Sequence, residues 1–261
     1  MKLIICADDF AQSPEIDAAI IRLIENNRLT AASCMVNSPH WASSAKLLTT
    51  DIRDKAHIGL HLDFTLFGYR YPHAVLTVLS VLRCLPMAAI KNSIEHQLNQ
   101  FEAALGTQPD YVDGHQHVHQ LPQIRQVLLS VLKQRYHQQL PWIRIAKPDD
   151  ESGIKGRIIK VLGASALERE AKQLGFKCSS ELLGVYDFSG DTHDYKKRLV
   201  TWAKQAGKGI GTSVLMCHPA IEGVNGHIND PIYPARINEF KVLSSDAFST
   251  IFNQVNIVRE P

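Results

Sequence analysis

Two adjacent carboxylates, Asp8 and Asp9, follow a short apolar run at residues 3–7. A run with no polar face reads as a strand buried on both sides, as in a parallel sheet. In α/β folds chemistry gathers at the carboxyl ends of such strands. One of these acids could hold a metal and the other act as a base. Three further clusters fall at the ends of strand-like runs. They are His61, the stretch Asp113-Gly114-His115-Gln116-His117-Val118-His119, and His218-Pro219. A barrel or an open sheet brings strand ends together however far apart they lie in the chain.

Three of the twelve histidines stand at spacing two in one cluster, His115, His117 and His119. In an extended segment they share a face, and Asp113 shares it too. A solvated polar strand end is the plain alternative. Neutral imidazole is the commonest metal ligand, so a histidine-rich strand end beside two acids favours a metal, with one ligand and two substrate-facing or supporting groups. His61 could be a core histidine, but its place at a strand end favours a ligand. Asp63 is positioned either to orient it or to serve the following loop. Adjacent strand residues point to opposite faces, so Asp8 and Asp9 converge only if the chain leaves the sheet between them; otherwise they form a turn. His218 could be a general acid or a strand-end cap. Arg144 sits among strand formers and needs a carboxylate partner if buried, with a surface ion pair as the alternative.

The elements that must position these groups alternate along the chain. Strands are expected at residues 3–7, 33–36, 57–62, 111–115, 142–146, 182–186, 213–217 and 256–258. Helices are expected after Ser13 and Pro14, at 90–105 before Gly106, at 121–136, at 167–174 before Gly175, and at about 195–206. The first carries Ile16, Ala19, Ile20, Leu23 and Ile24 on one face. Alternation of this kind implies an α/β fold with a parallel sheet of seven to eight strands, rolled into a barrel or left open. One domain over residues 1–261 is expected, with an irregular insertion at about 66–90 and a long loop at 219–235.

A formal charge of +2 in 261 residues gives no electrostatic support to a nucleic-acid partner. The five cysteines, Cys6, Cys34, Cys84, Cys178 and Cys217, form no Cys-x-x-Cys pair and sit in apolar runs, so buried reduced thiols in a cytoplasmic protein are expected. No secretory signal is read in the N-terminal run. Residues 74–90 are the most apolar, but Arg83 and Pro86 interrupt them, which argues for a flap, lid or dimer contact over a membrane span.

Ala7-Asp8-Asp9-Phe10, Gly59-Leu60-His61, the 113–119 stretch and Met216-Cys217-His218-Pro219-Ala220 occur in an order that resembles the YdjC-like carbohydrate deacetylases, a group that includes chitooligosaccharide deacetylases and hopanoid-biosynthesis-associated proteins. The resemblance runs from residue 3 to about residue 240 and is weakest after Phe64. It implies a deformed (β/α) barrel related to polysaccharide deacetylases, acting as a homodimer on an acetylated sugar. It implies one divalent metal, with Mg2+ favoured and Zn2+ or Mn2+ as alternatives, held by Asp9, His61 and His115. Asp8 would be the base and His218 the acid, with Asp113, His117 and Arg144 supporting them or meeting substrate. The rival readings are a glycosidase using Asp8 and Asp113, a non-catalytic sugar- or metal-binding relative, and a two-metal phosphoesterase.

Overall fold

A computed structural model describes residues 2–68, 71–148, 163–206, 211–223 and 230–261. Its strands are β1 (Lys2–Phe10), β2 (Ala31–Cys34), β3 (His57–Leu62), β4 (Tyr111–Gly114), β5 (Trp142–Ile143), β6 (Glu181–Leu183), β7 (Thr212–Cys217) and β8 (Asn256–Ile257). All pairings are parallel, in the order β5-β4-β3-β2-β1-β7-β6. Isolated parallel bridges Ile143↔Cys178 and Pro148↔Leu182 join the two ends of this path. The sheet thus curls back on itself as a deformed (β/α) barrel. β8 pairs only with Lys2 and Leu3, below the point where β2 joins β1 at Cys6.

Strand parity divides the core in two. Leu3, Ile5, Ala7, Leu60, Leu62, Val112, Ile143, Leu215 and Cys217 pack outward with the helices. Ile4, Cys6, Ala31, Tyr111, Trp142, Val214 and Met216 form a second cluster that fills the barrel. Strands buried on both faces have no polar side to display, which is why their sequences read as unbroken apolar runs. Tyr111 stacks on Trp142 with ring centroids 4.3 Å apart. A Cβ on Gly59 would stand 2.4 Å from the Tyr111 ring, so the ring needs glycine at that point.

Several elements differ from the expected ones. The helix Met87–Leu105 begins three residues earlier than 90 and ends at Gly106, whose φ of +69° suits glycine. The helix expected from 121 is Ile124–Arg135, because Gln123 at φ +61° is not helical. Within the region read as an irregular insertion, His73–Val81 is a helix; its face toward the protein buries Leu76 and Ser80, and Val78, Val81 and Leu82 are exposed. The loop at 219–235 gives way to the helix Tyr233–Leu243; residues 224–229 lie outside the described residues. Cys6, Cys34 and Cys217 are buried free thiols, but Cys84 is exposed in the turn between the helices His73–Val81 and Met87–Leu105, and Cys178 is only partly covered ahead of β6. No helix among the described residues is long and apolar enough to cross a membrane.

Candidate active site

The parity that sends Ile4 and Cys6 into the barrel sends Asp8 there too. On the other strands, or one residue past their ends, the same parity selects His61, Asp113, Arg144 and His218. Asp9 breaks the rule. It takes φ +68°, and the β1–β2 register slips so that Ala7 to Phe10 spans the same length of sheet as Ala32 to Cys34. One extra residue in a bulge turns a side chain that would otherwise face the helices. Aspartate tolerates this left-handed geometry better than most side chains. Both acids therefore face the barrel mouth while the chain is still in the sheet.

Asp9, His61 and His115 each offer a ligand atom within 4.8 Å of the others. His61 Nε2 is 3.5 Å from Asp9 Oδ1, and His115 Nδ1 is 3.0 Å from the same oxygen. His61 Nδ1–H donates to Asp113 Oδ1 at 2.6 Å, which leaves Nε2 free to face the mouth. Asp113 is fully buried, and its other oxygen accepts from Ser33 Oγ at 2.6 Å and lies 3.0 Å from Arg144 Nη2. Asp63 does not orient His61. Its carboxylate accepts the backbone N–H groups of Thr65, Leu66, Phe67 and Gly68 and so shapes the loop after β3.

Arg144 is buried and grips Asp8 with both arms, Nη1 to Oδ1 at 2.5 Å and Nη2 to Oδ2 at 2.8 Å. Cys6, Asp8 and Asp113 form a second cluster of metal-ligand type. Its centre is taken by this guanidinium, whose Nη1 also lies 3.5 Å from Cys6 Sγ.

The three histidines of the 113–119 stretch part company because the strand stops at Gly114. Residues His115–Gln120 form a 3-10 segment in which Gln116 and His117 have φ of +52° and +61°. Their expected common face is thereby lost. His115 and His117 line the mouth, whereas His119 is buried with Nε2–H donating to the Arg144 carbonyl at 2.8 Å.

Two residues of the site carry no signal in a strand-based reading, Arg236 and Glu239, one helical turn apart on Tyr233–Leu243. Arg236 Nη2 donates to Asp9 Oδ2 at 2.7 Å and its Nε to Asp230 Oδ2 at 2.6 Å. Glu239 accepts the His218 backbone N–H at 2.5 Å and the Tyr186 hydroxyl at 2.6 Å. Both are buried, and two polar residues on the inward face break the apolar periodicity that would have marked this helix.

The electrostatics follow from this packing. Burial would raise the Asp9 carboxyl, but Arg236 and the His115 and His61 hydrogen bonds hold it well below the usual range. Burial would lower His61, yet Asp113 and Asp8 outweigh it and push the ring up to about 10. The field at His61 thus favours a positive charge. Burial takes His218 down to about 4, against the pull of Asp9 and Asp8, and its Nδ1 has no hydrogen-bond partner among the described residues. Burial lifts Glu239 to about 7.

Asp8, Asp9, His61, His115 and His218 open on one cavity of about 550 Å3, with apolar walls from Leu66, Val185, Phe188 and Met216. That size suits a small ligand or one ring of a larger one. One carboxylate and two imidazoles around one point, in a field that favours positive charge, fit a divalent cation with positions left open for water and substrate.

A model of the YdjC-like protein family matches residues 2–254. A carbohydrate deacetylase of Mus musculus is 29% identical over 150 residues, covering 51% of this chain and 47% of that protein, so the match spans about half the relative's length. A chitooligosaccharide deacetylase of Citrobacter koseri is 25% identical over 256 residues, covering 93% of this chain and 90% of that one. A crystal structure of an Enterococcus faecalis protein provisionally assigned to cellobiose-phosphate cleavage superposes with a TM-score of 0.77 at 19% identity, over 99% of this chain and 97% of that one. At that identity the likeness concerns the fold.

Proposed function

Because the chain belongs to the YdjC-like protein family, we propose that it removes an N-acetyl group from an acetylated amino sugar or oligosaccharide, with one divalent metal ion held by Asp9, His61 and His115. The relatives named above as deacetylases support the reaction class. The observation that carries the reading is that neighbouring Asp8 and Asp9 enter one cavity in different settings. Asp9 faces two imidazoles, and Asp8 lies in the fork of Arg144.

A divalent ion at these donors supplies Lewis acidity to an acyl carbonyl and to water. Asp8 takes the proton of the attacking water at Oδ2, the oxygen 3.9 Å from His61 Nε2. Arg144 fixes the plane of that carboxylate from below. His218 delivers a proton to the amine nitrogen, which leaves poorly without one. A ring held at about 4 is neutral at pH 7, so His218 takes up a proton from solvent in the cavity as negative charge develops on the substrate and passes it to the nitrogen. Asp8 returns the proton it took from water to solvent as acetate leaves. Glu239 sets the backbone of His218, and Arg236 sets the outer edge of Asp9. The products are acetate and a free amino sugar.

Magnesium is the favoured ion on family resemblance, with zinc and manganese admitted by the two imidazoles. We take the protein to act in the cytoplasm as a homodimer, with residues 1–261 as one barrel unit. A glycosidase pair of Asp8 and Asp113 is disfavoured because Asp113 is sealed beneath His61 and Arg144 and does not line the cavity. A two-metal phosphoesterase is disfavoured because a guanidinium fills the second acidic centre. The test is acetate release from a panel of N-acetylated sugars with and without chelator. Release that stops with chelator supports the reading; shortening of the glycan without acetate contradicts it.

A further inference from the structure

The loop after β3 separates two cavities. Asp63 holds it rigid by accepting the backbone N–H groups of Leu66 at 2.9 Å, Phe67 at 2.6 Å and Gly68 at 2.8 Å. Gln97 pins it to the helix Met87–Leu105, accepting Asp63 N–H at 2.9 Å and donating to its carbonyl at 3.0 Å. Leu66 lines the catalytic cavity, whereas Phe67 and Gly68 line an open cleft of about 600 Å3 on the other side. The opposite walls of the cleft are Asn37, beyond the carboxyl end of β2, and a helical face carrying Asn92, Ser93, His96 and Gln100. Beside Asn37, Ser38 Oγ donates to the carbonyl of Ala11 at 2.5 Å, next to Gln12 of the catalytic cavity. The cleft and the active site therefore share two walls on one rim of the barrel.

The lining of the cleft is chemically narrow. It has three amides, a hydroxyl, an imidazole and a phenyl ring, and among the described residues none that line it is Asp, Glu, Lys or Arg. Amides and hydroxyls both donate and accept, as a ring of sugar hydroxyls requires, and the phenyl ring offers apolar surface to the C–H face of a pyranose. The described lining offers no cation to a phosphate or an acidic peptide. We propose that this cleft is a subsite for a further, uncharged sugar ring of the substrate, lying across the Asp63–Gly68 loop from the ring that is deacetylated. The proposal rests on the deacetylase reading above. It implies preference for an oligosaccharide over a single sugar, set by Asn92, His96, Gln100 and Phe67.

The test uses the full chain loaded with divalent ion, with N-acetylglucosamine and its β-1,4-linked dimer and trimer as probes. The variants are Asn92→Ala with His96→Ala, and Asn92→Trp, which fills the cleft. All lie on an exposed helical face, where alanine and tryptophan leave the core untouched. Each is expected to lower the ratio of kcat/KM for trimer to that for monomer about tenfold, the loss of one or two hydrogen bonds. An unchanged ratio overturns the subsite. Trimer binding is measured in parallel on Asp8→Asn protein, with and without the cleft substitutions, so the cleft is read without turnover. About tenfold weaker binding supports it, and equal binding overturns it. Failure of the wild-type protein to release acetate from any probe counts against the deacetylase reading alone.

Discussion

Arg236 Nη2 lies 2.7 Å from Asp9 Oδ2, on the edge of the carboxylate opposite the oxygen that His115 Nδ1 approaches at 3.0 Å. Asp9 is thus held between a permanent cation from the helix Tyr233–Leu243 and the two imidazoles of the barrel. The site has a fixed counter-charge before any metal arrives.

Removing that counter-charge strands a buried carboxylate. Arg236→Ala should lose on the order of 3–5 kcal/mol of stability, the usual result of deleting one partner of a buried ion pair. A divalent ion then replaces the missing positive charge. Thermal melts should show a larger gain in Tm on adding metal for Arg236→Ala than for the wild type. Equal gains would mean that Arg236 and the ion do not act on the same carboxylate.

Asp113 sets the ring of His61 without touching the cavity. Asp113→Asn should weaken divalent-ion affinity about 10–100-fold, as outer partners of metal ligands usually do. Calorimetric titration reads this directly. Unchanged affinity would separate His61 from the metal.

The stability of the fold should carry the signature of Glu239. Burial lifts its folded-state value to about 7, above its ordinary 4.5. A raised carboxyl favours folding in its protonated form, so the contribution is complete below pH 4.5 and lost as pH rises through 7. Glu239→Gln should therefore compare better with the wild type at pH 8 than at pH 5, by on the order of 3 kcal/mol. Urea unfolding at the two pH values measures it. A difference of the opposite sign would place the charged form as the stabilising one.

Much of this site was legible from strand parity. Counting by twos from Ile4 reaches Asp8, and the same count on the other strands gives His61, Asp113, Arg144 and His218. The parity argument failed where the backbone departs from a strand. Asp9 faces the mouth through a bulge and a left-handed residue, neither of which apolar periodicity records. His117 and His119 lost their shared face because the chain coils after Gly114. Arg236 and Glu239 stayed hidden because a helix that buries two charged residues shows no apolar stripe. The run at 74–90, read as an apolar flap, lid or dimer contact, holds the helix His73–Val81 and the start of Met87–Leu105 on either side of Pro86; Leu76, Leu85 and Ile90 join the core, and exposed Val78, Val81 and Leu82 supply the rest of its apolar composition.

Titration of a divalent metal into the wild type and into Asp9→Asn, His61→Ala, His115→Ala and Asp8→Asn tests the centre of the account. One ion per chain is expected in the wild type and in Asp8→Asn, with at least tenfold weaker binding in the other three. Two ions in the wild type, or undiminished binding after loss of Asp9, His61 or His115, would contradict it.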